Sequence, residues 1–216
     1  MLILGMLVTG IAFVALRLNT IRKGAQSYES MAYLPGSEKV KPFMLGFQTT
    51  YAHYLWIRVV LYTGEHLMGD RQFSWLIQMV DMLTRLHPHF YEAYEFAGLM
   101  IPDLCGNPDA ARIILERGMN QTDYKWNIPF YLGMLYYKYF NDPERAAFYF
   151  TAAANRPGPH KSKLANLAAN FYQKSGREPN DLSLLVFLYQ SSENPEVRRH
   201  LLQKISVVAP EIKTVP

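Results

Sequence analysis

Apolar and polar positions divide the chain into three stretches of different character. From Met1 to Leu18 (MLILGMLVTGIAFVALRL) the run is apolar on every side, with Arg17 its only charge. About 17 such residues wound as a helix reach roughly 25 Å, the short end of a bilayer span. A helix apolar all round needs burial on every side. The pattern therefore predicts a transmembrane helix or uncleaved signal-anchor over 1–18. A cleaved secretory signal is the competing reading, but no Lys/Arg stretch precedes the run and no small-x-small site follows it. Residues 19–42 carry Gly24, Pro35, Gly36 and Pro42 among scattered polar groups without a period, as a linker or packing arm does. Beyond Pro42 apolar residues recur at helical spacing as far as Val207, and no strict alternation predicts a strand. The expected class is all-α, with 43–207 as the helical body and 208–216 as a tail.

Within that body a period is visible. Gly64 (LYTGEHL), Gly98 (EFAGLM) and Gly133 (FYLGML) stand 34 and 35 residues apart. Each is followed by a polar break and a second apolar helix. The breaks Asn107-Pro108-Asp109-Ala110-Ala111 and Asp142-Pro143-Glu144-Arg145-Ala146-Ala147 repeat one start signal: an Asx cap, a proline in the first turn and an acid that complements the dipole. The second helices are expected to end at Pro88, near Thr122 and at Pro157. The first helix, Phe43 to Met68, is longer than its counterparts. A fourth, degenerate unit begins near Lys161, with Ala168 at the glycine position and a second helix from Asp181 to Gln190, and Pro195 to Val207 forms a terminal capping helix. Where two helices cross closely, anything larger than Gly or Ala pushes the axes beyond about 8 Å, so the three glycines are expected at equivalent crossings.

This arrangement resembles the tetratricopeptide repeat (TPR) family, a helix–turn–helix unit of 34 residues with small residues at its eighth and twentieth positions and proline at its thirty-second. Counted from Gly98, Ala110 falls at the twentieth position and Thr122 stands where the proline is usual. Counted from Gly64, Leu76 departs from the small-residue rule while Pro88 matches. From Gly133, Ala146 falls one residue late. The entry region, with Tyr33-Leu34-Pro35-Gly36 and Leu55-Trp56-Ile57-Arg58, is similar to that of membrane-anchored bacterial members. The resemblance implies a right-handed solenoid of three to four stacked repeats, a single-pass bacterial inner-membrane protein, and repeats on the periplasmic side. Arg17, Arg22 and Lys23, which come after the apolar run, point instead to the cytoplasmic side, so the membrane face stays open.

Composition narrows the chemistry. The 216 residues, half of them hydrophobic, suffice for one compact domain with something extra. A net charge of +4 with no dense Lys/Arg run argues against nucleic acid. Cys105, the single cysteine, excludes an internal disulfide and any cysteine-built metal cluster of this chain alone; beside Gly106 it reads as a packing or turn residue. His87-Pro88-His89 reads as a turn rather than a metal site, and His53 and His66, thirteen apart, fall on different faces of one helix. No P-loop, dinucleotide fingerprint or Gly-x-Ser-x-Gly occurs. Neither a cofactor, a metal, a small-molecule substrate nor catalysis is expected.

Aromatics crowd two successive helices: Phe130, Tyr131, Tyr136, Tyr137, Tyr139 and Phe140, then Phe148, Tyr149 and Phe150. Most should pack between helices, and the surplus should form a contact surface. Trp56, Trp75 and Trp126 read as core or repeat-junction residues. The resemblance implies that a peptide lies along the first helices of the repeats. It assigns Arg58, Leu61 and Glu65 to that groove in the first unit. Glu92, Glu95 and Leu99 follow in the second, then Asn127, Phe130, Met134, Tyr137 and Lys138 in the third. Mixed charges with aromatics and Met suit a protein partner. The expected function is a membrane-anchored scaffold for envelope or membrane proteins. The alternative is an accessory subunit of a transporter, secretion, pilus or electron-transfer complex, its anchor packed against other subunits through Gly5, Thr9 and Gly10.

Overall fold

The computed structural model describes residues 46–176 and 181–209. The expected anchor with Gly5, Thr9 and Gly10, the linker 19–42 and residues 210–216 of the tail lie outside the described residues. Among the described residues there are nine α-helices and no strand: α1 (Gln48–Met68), α2 (Leu76–Leu86), α3 (Tyr91–Leu104), α4 (Pro108–Gln121), α5 (Asn127–Lys138), α6 (Pro143–Ala154), α7 (Lys161–Ser175), α8 (Leu182–Ser191) and α9 (Pro195–Val208). The fold is all-α. No helix among the described residues is long and apolar enough to cross a membrane.

The helix starts follow from local chemistry. Asn107 Oδ1 accepts the Ala110 backbone N–H at 2.9 Å ahead of Pro108, and Asp142 Oδ1 accepts that of Arg145 at 2.9 Å ahead of Pro143. Asp181 and Asn194 cap α8 and α9 in the same way, from Ser183 at 3.0 Å and Glu196 at 2.9 Å. Each cap satisfies a backbone donor that the first turn leaves open. α1 departs from the sequence expectation. It begins at Gln48 rather than Phe43, because Gly46 adopts φ +90°, outside the helical region, and Phe47 supplies no side-chain cap. α2 stops at Leu86, since a residue before Pro88 is disfavoured in the helical region. α4 ends at Gln121 beside Thr122, and α6 ends at Ala154, short of Pro157.

Each helix packs on the next, and in addition α2 packs on α4 and α3 on α5. This is the contact order of helical hairpins laid side by side: α1–α2, α3–α4, α5–α6 and α7–α8, with α9 closing against α7 and α8. Two aromatics hold the middle hairpins. Tyr94 on α3 is fully buried, and a Cβ at Gly118 on α4 would stand 2.5 Å from its ring. Its hydroxyl donates to the Pro88 carbonyl at 2.9 Å, and burial pushes its pKa up to about 12. Phe150 on α6 is likewise fully buried, 2.7 Å from where a Cβ at Gly133 on α5 would lie. Gly98 makes a third close approach, to Tyr131 Cβ of the next hairpin at 2.8 Å.

The three periodic glycines are therefore not equivalent. Gly98 and Gly133 sit at crowded crossings, whereas nothing lies within 4 Å of a Cβ added at Gly64. Trp56 meets the rings of Phe90 and Phe96 at 5.5 Å, and Trp126 meets His160 at 5.0 Å, so both tryptophans stand at junctions between hairpins. Trp75 is half-buried at the start of α2.

Polar bonds between hairpins repeat the period. Arg117 Nη2 on α4 donates to Asp81 on α2 at 2.7 Å, and its Nη1 to Thr84 Oγ1 at 2.9 Å. Arg156, after α6, donates to the carbonyls of Met119, Thr122 and Lys125 at 2.8–3.0 Å, fastening the α4–α5 turn. These pairs are 31 to 37 residues apart in sequence.

Crowding at two glycines and open space at the third predict opposite mutational signs. Gly98→Val and Gly133→Val should each lose about 1–3 kcal/mol through overpacking, whereas Gly64→Ala should gain up to about 1 kcal/mol of helix propensity. Urea midpoints of the three variants check this. A Gly64→Ala loss as large as the others would refute the packing described.

Candidate functional site

α3 and α5 lie side by side and present a row of side chains, which a ring contact extends to α7. Asn127 at the start of α5 donates its side-chain amide to the Glu95 carboxylate on α3. One turn further along, Tyr131 lies over Gly98. At the far end Lys138 Nζ donates to Asp103 at 2.9 Å, and Tyr139 hydroxyl donates to the same carboxylate. Contacts that advance together along both helices show that α3 and α5 run parallel. Tyr137 carries the row on to α7, its ring edge-on to Phe171 with centroids 4.7 Å apart, and Lys174 Nζ stands 5.2 Å from the Phe171 ring.

Of the residues expected in a groove, Glu92, Glu95, Asn127 and Phe130 are half-buried, and Leu99, Met134, Tyr137 and Lys138 are exposed on this row or its edge. Arg58, Leu61 and Glu65 belong to α1, and no hydrogen bond or ring contact among the described residues joins them to the α3–α5 row. Of the nine crowded aromatics, Tyr137 and Phe148 are exposed; Tyr136, by contrast, is buried and stacks on Tyr149 at 5.2 Å.

The electrostatics of the row are graded. Partial burial, only partly offset by the Asn127 hydrogen bond, raises the Glu95 carboxyl above its ordinary value. At the open end, the bond from Tyr139 and then that from Lys138 hold Asp103 below its ordinary value. Lys125 Nζ lies 3.8 Å from the centre of the Tyr91 ring, a cation–π contact beside Glu92. The groove expected from sequence omits Asp103, Tyr139 and Lys125. The first two carry a legible signal, complementary groups 35 and 36 residues apart, which is the repeat period itself.

Other sequence candidates take structural places. His89 Nδ1 is 3.0 Å from the Gln121 carbonyl. His87 meets the rings of His53 and Phe90, each at 5.8 Å. Cys105 Sγ is 3.9 Å from the Phe73 carbonyl, and burial raises its thiol pKa. No group of three metal-ligating side chains occurs among the described residues. A cleft of about 410 Å³ lies between α6, α7 and α8, lined by Phe148, Thr151, Asn155, Tyr172, Asp181 and Phe187 among others. Asp181 is already engaged there as the cap of α8. What the row offers is a surface of alternating acid, amide, thioether and ring.

The Glu95 shift fixes a pH dependence. A carboxyl raised on folding binds its proton more tightly in the folded chain, so ionising it costs stability. Stability should then fall as pH rises through the window between the unfolded and folded values. Glu95→Gln, which keeps an acceptor for Asn127, should be more stable than the parent at neutral pH and equal to it on the acid side of the carboxylate range. Denaturation curves at the two pH values test this, and a difference independent of pH would contradict it.

Compared with known proteins, the chain matches no family model, no curated protein and no solved structure.

Proposed function

We propose that this chain is a membrane-anchored, TPR-like scaffold that holds a protein partner on the face of α3, α5 and α7, and that it makes and breaks no bond. The observation that carries the reading is the row itself. α3 and α5 are tied in register by Glu95–Asn127 and Asp103–Lys138, and Tyr137 touches Phe171 of α7, while Leu99, Met134 and Tyr137 stay open to solvent. Interior packing has already consumed the bulk of the aromatics, so an exposed Leu, Met and Tyr on a pre-ordered frame cost little further entropy when a partner covers them. Such pre-order favours binding of an extended or helical segment along the row.

In this reading residues 1–18 hold the repeats at a bacterial inner membrane, raising the effective concentration of the row near membrane and envelope partners. The 34–35-residue spacing of Gly64, Gly98 and Gly133 and the inter-hairpin bonds at 31 to 37 residues support the repeat assignment.

A photo-crosslinking residue placed at Leu99 or Met134 should give discrete adducts in native membranes. The same residue at exposed positions on the second helices, Ile113 or Arg145, should give none. Glu95→Lys combined with Tyr137→Ala should reduce the Met134 adduct roughly tenfold or more. Equal adducts at all four positions, or no loss in the double variant, would move the interface elsewhere.

A further inference from the structure

The outer face of α1 is apolar and open. Phe47, Thr50, Tyr54, Ile57, Leu61, Gly64 and Met68 succeed one another at intervals of three and four residues, the spacing of a coiled-coil seam. From Tyr54 to Met68 these positions fall within about 80° of one another around the helix. Tyr54, Ile57 and Leu61 are 54%, 57% and 54% exposed and Met68 is 91% exposed. The opposite face, with Ala52, Leu55, Val59, Tyr62 and Thr63, is the buried one. Among the described residues α1 is the end helix of the stack; such a helix needs a polar outer surface or a cover, and the outer surface of α1 is not polar.

The two flanks of the stripe are unlike each other. One carries Arg58 and Glu65, seven residues apart, and neither forms an ion pair among the described residues. The other carries Val60 and Leu67, 48% and 50% exposed. Pairing with a parallel copy would set the charged flank of one helix against the apolar flank of the other. Antiparallel pairing about a two-fold axis sets like flank against like flank. Arg58 then faces Glu65 of the second copy twice over, and Val60 of each copy faces Leu67 of the other. The same arrangement seats Leu61 of each copy over Gly64 of the other, where nothing lies within 4 Å of the Cβ position. It also brings Ile57 opposite Met68.

From this self-complementarity of charge and shape, we propose that α1 is an isologous dimer interface whose occupant is the antiparallel α1 of a second copy of this chain. The glycine with no packing role inside the hairpin thereby gains one between copies, and the α3–α5–α7 row stays free on each copy.

The test is the oligomeric state of the full chain in mild detergent at low ionic strength, by sedimentation across a concentration series. The parent should be a reversible dimer. Arg58→Glu and Glu65→Arg should each weaken association roughly tenfold or more by placing like charges opposite each other. The double variant Arg58→Glu/Glu65→Arg should restore it. The decisive arm mixes the two single variants. In an antiparallel pair the Arg58→Glu chain brings two acids and the Glu65→Arg chain two bases, so every charged contact between them is again opposite in sign. Two weakly associating chains should therefore form a heterodimer. Unchanged circular dichroism confirms folding of each variant. A parent that stays monomeric overturns the proposal, which would leave the face to lipid or to another protein. So does a dimer indifferent to both single reversals, or a mixture no tighter than its parts.

Discussion

Tyr94 and Phe150 each occupy a place that exists only because the facing helix has no side chain there. A ring brought within 2.5–2.7 Å of a would-be Cβ leaves no tolerance, for both aromatics are fully buried and have nowhere to retreat. The gain is the burial of a large apolar body, roughly 1.5–3 kcal/mol for each such side chain relative to exposure. The constraint is geometric: the distance between helices in the α3–α4 and α5–α6 hairpins is set at those two contacts. Every further feature of the middle hairpins depends on that spacing. Once α3 and α4 are locked, Gly98 can admit Tyr131 from the next hairpin, and Arg117 can reach back to Asp81 and Thr84.

The repeat is thus written twice, once in the apolar contacts and once in the polar ones. Exposed ion pairs such as Lys138–Asp103 contribute little to stability by themselves. Their weight lies in register: with Glu95–Asn127 at one end and Asp103–Lys138 at the other, α3 cannot slide along α5 without breaking both. Arg156 does the same for the back of the stack by gathering three carbonyls from the end of α4 and its succeeding turn. The α3–α5 face is thereby a surface whose spacing is already decided.

Much of the body was legible in the chain, because its start signals are local. The caps at Asn107 and Asp142 and the starts of α7 at Lys161 and α9 at Pro195 stand where the pattern placed them, α8 is displaced by one residue at each end, and α9 runs one residue beyond its expected end. The start of α1 was not legible, since it depends on the backbone at Gly46 rather than on a capping side chain. The candidate site was legible in outline and not in detail. Helical periodicity placed Glu95, Asn127, Met134 and Tyr137 on first helices, but which of them meet is a matter of tertiary register. Asp103 escaped notice because nothing in its own turn distinguishes it; its partners Lys138 and Tyr139 arrive from one hairpin away. The glycine period misled at one point for the same reason: spacing reveals equivalence in sequence, and only the packing reveals whether a neighbour has come close.

At Gly64 the register is kept and the neighbour is missing. In α3 and α5 a glycine is compelled by a ring pressed against it, and replacing it strains the core. In α1 the same register position faces outward between Leu61 and Met68, where a glycine confers no packing advantage within its own hairpin and lowers helix propensity by about 1 kcal/mol relative to Ala. The residues around it are sorted as well, apolar along the seam, charged on one flank and apolar on the other. A merely solvated face has no reason to keep Tyr54, Ile57, Leu61 and Met68 in line, because each exposes hydrocarbon to water without return. The outward face of α1 obeys the rule that governs the interior crossings: a stripe of large side chains with one gap in it fits a surface that brings a large side chain to that gap.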